Sequence, residues 1–319
     1  MNQEKDLRAL YDEQLKDKLE ALDVQRRTIK KRAILFIFGL ILARIAYALL
    51  PNPYLQWPIS IAIALGALVL GGFTLIIYYK YRKVFKNEVV KEIIKLINPD
   101  FKYDANRHIQ RGVYEKSKIF TQESDRCSGD DYISGNIEKT DFEFSELRSQ
   151  YKTTTTEDGN TKTEWHNIFK GLFFHADFNK EISGETFVLP DTAEKLFGKI
   201  GQSMQKRSSR GELVKLENPE FEKEFVVYSS SQVEARYILT PTMMEAMVNI
   251  RRQLKQKFYF SFVGSRVFCA IKIDKAMFEP RIMKTGVSFK DVEYMFTLFS
   301  LIETIIHEMN LNTRIWTKN

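Results

Sequence analysis

The chain has 319 residues, with 48 basic against 41 acidic side chains, a formal net charge of +7, and two cysteines. Cys127 and Cys269 lie far apart and form no Cys-x-x-Cys pair, which fits plain buried or surface thiols in a reducing compartment better than a disulfide between them. The positive excess lies in residues 1–32, at Arg44 and in residues 80–99; residues 100–319 balance at 32 basic and 32 acidic, so the charge reports membrane flanks and no nucleic-acid surface.

Residues 1–32 predict a polar amphipathic helix. Leu15, Leu22 and Ile29 repeat at seven, with Leu7 and Leu19 nearby, among alternating charges. Two heptads are too few for a coiled coil, so the stripe belongs either to a solvated extension of the next helix or to a self-association helix.

Residues 33–79 predict a two-span transmembrane hairpin. Its apolar runs are Ala33–Leu50 and Pro58–Tyr79, joined by the uncharged turn Pro51–Trp57. A bilayer core of ~30 Å needs about 20 helical residues. A signal peptide does not fit, because a polar stretch of 32 residues precedes the first run and a second apolar run follows within ten residues. Arg44 lies six residues from the end of its run, within reach of the headgroups. Arg26, Arg27, Lys30, Lys31 and Arg32 precede the hairpin, and Lys80, Arg82, Lys83 and Lys86 follow it. By the positive-inside rule both termini are expected in the cytoplasm, at a bacterial cytoplasmic (inner) membrane. Tyr54 and Trp57 suit the outer interface, and Tyr78, Tyr79 and Tyr81 the inner one. Ala62/Gly66 and Ala67/Gly71 allow close helix packing within the hairpin or in a homo-oligomer.

Residues 80–99 predict a juxtamembrane helix with Val84, Val90, Ile93, Ile94 and Ile97 on its apolar side, ended by Asn98-Pro99.

Residues 100–319 predict one cytoplasmic domain, giving an overall class of α+β: a transmembrane hairpin followed by a soluble, mostly antiparallel sheet domain with a long C-terminal helix. Expected strands are Tyr132–Ile137, Thr140–Thr153 and Thr161–Asp177, the last two around the turn Glu157-Asp158-Gly159-Asn160. Glu185–Leu189, Glu212–Leu216 and Glu224–Tyr228 follow, then Phe258–Val263 and Val267–Ile273 around Gly264-Ser265. Helices are expected at Asp191–Phe197, at Ser231–Lys255 with a break at Thr240-Pro241, and at the C-terminus. There Ser288 and Asp291 suggest a capping box. Val292, Met295, Phe296, Phe299, Ile302, Ile306 and Met309 form the apolar stripe of that last helix. As architecture alone, this order resembles pleckstrin-homology-like barrels, although the insertion near Ser231–Lys255 does not suit one.

Two stretches are distinctive: HNIFKGLFFHADFNKEISGETFVLPD (His166–Asp191) and ENPEFEKEFVVYSSSQVEARYILTPTMME (Glu217–Glu245). With the twin spans and the FEP tripeptide Phe278–Pro280, they resemble the bacterial membrane-protein family known as domain of unknown function 3137. The resemblance covers most of the chain past residue 30. It implies no activity, cofactor or catalytic residue, and it implies a LemA-type membrane protein as a partner. Its motif VEARYILTP nominates Glu234, Arg236 and Tyr237. Glu234 and Arg236, two apart, do not share a helix face and should meet separate partners, with Arg236 and Tyr237 anchoring a helix start on the sheet. Alternation of Phe221, Phe225 and Val227 suits a half-buried strand.

Little in the sequence points to chemistry. His175 and Asp177 share a strand face, and His166 lies on the other unless Gly171 marks a bulge. No helix-spaced histidine pair supports a metal. His307 and Glu303, one helical turn apart, suit a solvated ion pair. Asp130/Asp131 reads as a surface pattern. No phosphate-cradling glycine loop and no nucleophile elbow occur. The segment Lys199–Arg210 holds four basic residues and no acid, which nominates Lys206, Arg207 and Arg210 for phosphate or anionic headgroups. The expectation is a membrane-anchored module without catalytic residues, metal or cofactor, binding a protein partner or anionic lipid headgroups. The alternative is an enzyme on a membrane-associated substrate, with an active site dispersed along the chain.

Overall fold

The computed structural model describes residues 2–138, 140–157, 160–177, 182–191, 210–274, 278–283 and 287–313. The chain divides into two units. The first comprises Met1–Ile97 and Met277–Thr297, the second Asn98–Ala276 and Leu298–Asn319.

In the first unit, α1 (Asn2–Leu10), a wide π turn (Tyr11–Leu15) and α2 (Lys16–Leu49) follow without a break. After the turn, α3 (Pro53–Phe85), a second π turn (Lys86–Val90) and α4 (Lys91–Ile97) do the same. Asn52 starts α3 by accepting from the N–H of Tyr54, with Pro53 in the first turn, where its missing donor does no harm. Lys5–Leu49 and Pro53–Ile97 are each long and apolar enough to cross a membrane. Arg44 is exposed, with its guanidinium 5.5 Å from the Tyr47 ring, toward the turn.

The small residues of the hairpin divide by face. A Cβ on Gly39 would stand 2.9 Å from that of Ala67, and one on Gly71 would strike the Phe36 ring, so α2 and α3 approach through these positions. Ala62 and Gly66 face outward.

Two expectations change at the base of the hairpin. Leu7, Leu10, Leu15, Leu19, Leu22 and Ile29 are buried within the unit, so their stripe is not solvated. Tyr11 meets Phe289 edge-on at 5.3 Å, and the Arg8 guanidinium lies over the same ring. Val84 is exposed at 42%, while Val89, Val90, Ile93 and Ile94 are buried. The π turn inserts a residue and rotates the apolar side past Val84.

The second unit is built on a nine-stranded antiparallel sheet, in the order β1-β2-β3-β4-β9-β8-β5-β7-β6. The strands are β1 (Lys102–Asp104), β2 (Arg126–Ile137), β3 (Thr140–Glu157), β4 (Asn160–Asp177), β5 (Glu185–Pro190), β6 (Glu212–Val214), β7 (Phe225–Ser229), β8 (Lys257–Val263) and β9 (Arg266–Lys272). Both edge strands are three residues long, and among the described residues they do not pair with each other, so the described sheet is open rather than closed into a barrel. Beyond Gln150 and Gly171, β3 and β4 continue as a ribbon past their outer neighbours, with exposed threonines at 153–156, 161 and 163.

The helices of this unit are α5 (Arg111–Lys116), α6 (Pro219–Glu224), α7 (Gln232–Ile238) and α8 (Pro241–Leu254), while α9 (Phe289–Thr313) contributes residues to both units. Phe221 lies in α6 and not in a strand, because Asn218 caps Glu220 and Phe221 with Pro219 behind it. The strand therefore begins at Phe225. Thr240 caps α8 as its sequence suggests. Asp291 reaches back to the N–H of Ser288 before α9, and Val292, Met295, Phe299 and Ile306 on its stripe are buried. The expected helix at 191–197 lies, after Asp191, outside the described residues.

One sheet face packs Leu147, Phe169, Phe173 and Phe268 against Ile109, Tyr114 and Ile119, and continues through Tyr259 to Phe187, Leu189, Val226 and Tyr228. On the other, Phe260, Phe262 and Val267 line a small apolar void with Met243, Met247 and Ile250 of α8 and Ile305 of α9. Burying several aromatic side chains, each contributing roughly 2–3 kcal/mol, is what holds such a sheet.

Candidate functional site

Arg210 immediately precedes the edge strand β6. Gly211 fixes the entry, with φ of +89° and a position where a Cβ would stand 2.1 Å from the Ser229 carbonyl oxygen. The Arg210 side chain is largely buried. One terminal nitrogen donates to the Ile119 carbonyl at 2.6 Å, and the guanidinium lies 5.6 Å from the Phe187 ring. Its Nε is buried and has no hydrogen-bond partner. Among the described residues no carboxylate pairs with it. Burial pulls its proton affinity below the ordinary arginine value, and the neighbouring phenols of Tyr228 and Tyr259 act in the opposite direction. Burial in turn raises the Tyr259 phenol, which the guanidinium partly offsets. Lys206 and Arg207, nominated with Arg210, lie outside the described residues.

The VEARYILTP motif performs a different task. Ser231 caps α7 by accepting from the N–H of Glu234. The two Glu234 oxygens accept from the N–H groups of Ser183, at 3.1 Å, and Gly184, at 2.8 Å, and so fasten the entry to β5. Gly184 permits this approach, since a Cβ there would stand 2.6 Å from Glu234 Oε2. Arg236 donates to the Gln232 carbonyl and amide oxygens and to the Lys215 carbonyl. It thus ties the end of α7, not its start, to the chain leaving β6. Tyr237 is 39% exposed. Glu234, Arg236 and Arg210 have separate hydrogen-bond partners.

The histidines do not converge. His166 stacks on Tyr151 and bonds Thr153, far along β4 from His175. The bulge between them falls opposite Ser149/Gln150, at Ile168, and not at Gly171. His175, 4% exposed, lies with Nδ1 2.8 Å from Arg266 and Nε2 3.2 Å from Glu143. The second Arg266 nitrogen donates to Asp141. His307 lies 3.9 Å from Glu303, as expected, and 3.8 Å from Glu138.

Sequence reasoning missed one grouping. The carboxylate oxygens of Asp130, Asp131 and Glu146 lie within 4.8 Å of one another. A bulge between Asp130 and Ile133 turns Asp131 inward at φ of +53°, where Tyr103 donates to it. Glu146 arrives through the register of β3, which spacing along one strand does not reveal. Three carboxylates at this separation suit a divalent cation in ligand type, but such a grouping by itself defines no ion site.

No curated protein matches this chain in sequence. Among solved structures, the mycobacterial trehalose monomycolate transport factor A is similar over 70% of this chain and 97% of that one, at 9% identity and a TM-score of 0.34, a likeness too low to carry an argument. Residues 167–311 match the family described as protein of unknown function (DUF3137), and this part of the chain is similar to that family.

Proposed function

We propose that this protein is a non-catalytic module anchored in a bacterial cytoplasmic membrane by its helical hairpin. Both termini lie in the cytoplasm, and the sheet domain recognises a protein partner or anionic lipid headgroups. The supporting observation is the base of the hairpin. Glu279 of the FEP tripeptide pairs with Arg82 and, at 3.0 Å, with Lys86, which is 2% exposed. Arg26 donates to the Ile282 carbonyl and Lys30 to that of Met283. The same cationic flanks that set topology thus also hold Glu279, Ile282 and Met283 within the first unit.

A LemA-type membrane protein is the partner we favour, on the sequence resemblance. Cross-linking in native membranes, followed by identification of the captured protein, tests this. We expect the chain to stay with membranes in alkaline carbonate and to capture a membrane protein of that type. Release by carbonate contradicts the anchor, and capture of nothing but further copies of the chain contradicts the partner reading.

A further inference from the structure

A guanidinium presents five N–H donors and always carries its charge. Removing that charge from water without a counter-charge is costly, and buried arginines are ordinarily paired with carboxylates. Arg210 departs from this pattern. It has one described hydrogen bond, to the Ile119 carbonyl, and its Nε is buried without a partner. Among the described residues it faces the Phe187 ring, against whose cluster Tyr228 and Tyr259 also pack, and both phenols act on it electrostatically without carrying charge at neutral pH. The next residue, Gly211, sits where a Cβ would strike the Ser229 carbonyl, so the backbone beside Arg210 admits no larger residue. A largely buried guanidinium beside the Phe187 ring, with no carboxylate partner among the described residues, is chemically suited to an oxyanion, which accepts two N–H groups at once. Phenolic hydroxyls can donate to the remaining oxygens.

We infer that Arg210, with Tyr228 and Tyr259, forms a binding site for a phosphate oxyanion, supplied either as a lipid headgroup or as a free phosphate. The inference rests on reading the sheet domain as a binding module and specifies the ligand class that the module takes.

The test uses the full chain in zwitterionic detergent and in nanodiscs. Unfolding midpoints are measured against inorganic phosphate, with chloride at matched ionic strength as control, and in phosphatidylcholine nanodiscs with and without phosphatidylglycerol. Phosphorus NMR line broadening gives a second, direct readout of phosphate binding. Stabilisation by inorganic phosphate identifies a free-phosphate site; stabilisation by phosphatidylglycerol alone identifies a headgroup site. In either case R210M should abolish the response and R210K should weaken it by about tenfold or more, because a point charge replaces the two-pronged donor. Should R210M fail to fold, R210K and Y259F carry the comparison. No response to either ligand, or a response that R210K and R210M leave intact, overturns the assignment. Partner capture by cross-linking is read independently, so a negative titration rejects the Arg210 site without rejecting the binding module.

Discussion

The Nδ1 atom of His175 accepts a hydrogen bond from the Arg266 guanidinium at 2.8 Å. Arginine only donates, so this nitrogen carries no proton, and the neutral ring keeps its proton on Nε2, which lies 3.2 Å from Glu143 without a hydrogen bond to it. A second proton would have to sit against the guanidinium. Burial is the main cause holding the imidazole below its usual value, with Arg266 adding to it and Glu143 opposing. The unfolded chain therefore binds more protons than the folded one as pH falls below about 6.5. Stability should be full above that point and should decline beneath it, by at most about 1.4 kcal/mol per pH unit from this group. Urea midpoints at neutral and mildly acid pH in wild type and H175Q measure it; the variant should lose this part of the slope.

Glu234 is expected to act through structure. Replacing it with alanine leaves the N–H groups of Ser183 and Gly184 without their acceptor, at a cost of about 1–2 kcal/mol for a partly exposed carboxylate. Gly184→Ala should cost at least as much, because its Cβ would displace both Glu234 Oε2 and Ser230 Oγ. Thermal unfolding of the two variants and their combination checks this. The effects should be far from additive, since both act on one contact.

At the hairpin base, E279Q removes the carboxylate shared by Arg82 and Lys86. Breaking a buried pair from one side costs about 3–5 kcal/mol, whereas replacing both partners is often close to neutral. E279Q should thus lower the unfolding midpoint, and its effect should be smaller in a K86M background, where one of the two cations sharing the carboxylate is already gone. A double-mutant cycle in detergent measures the coupling.

Both cysteines are free. Burial raises the Cys269 and Cys127 thiols, and Cys127 is half-buried beside Ser124. A thiol reagent should modify Cys127 slowly in the native protein and Cys269 only after unfolding; mass spectrometry of the labelled peptides distinguishes them.

The sequence made the hairpin legible because length, hydropathy and flanking charge are local properties. The strands around Gly264-Ser265 and the cap at Thr240-Pro241 were legible for the same reason. What escaped depends on register and phase. The π turn at Lys86–Val90 moved the apolar side off Val84. The cap at Asn218 outweighed the alternation that placed Phe221 in a strand. Glu146 joined Asp130 and Asp131 only through strand pairing. Composition singled out Arg210, but its isolation from carboxylates is a property of the folded sheet.

The central claim is the orientation of the anchor. In a background of C127S and C269A, single cysteines at Gln56 in the turn and at Glu123 in the sheet domain are exposed to a membrane-impermeant maleimide on intact spheroplasts. The account predicts labelling at position 56 and none at 123 until the membrane is opened. Labelling at 123 in sealed cells, with 56 protected, would contradict it.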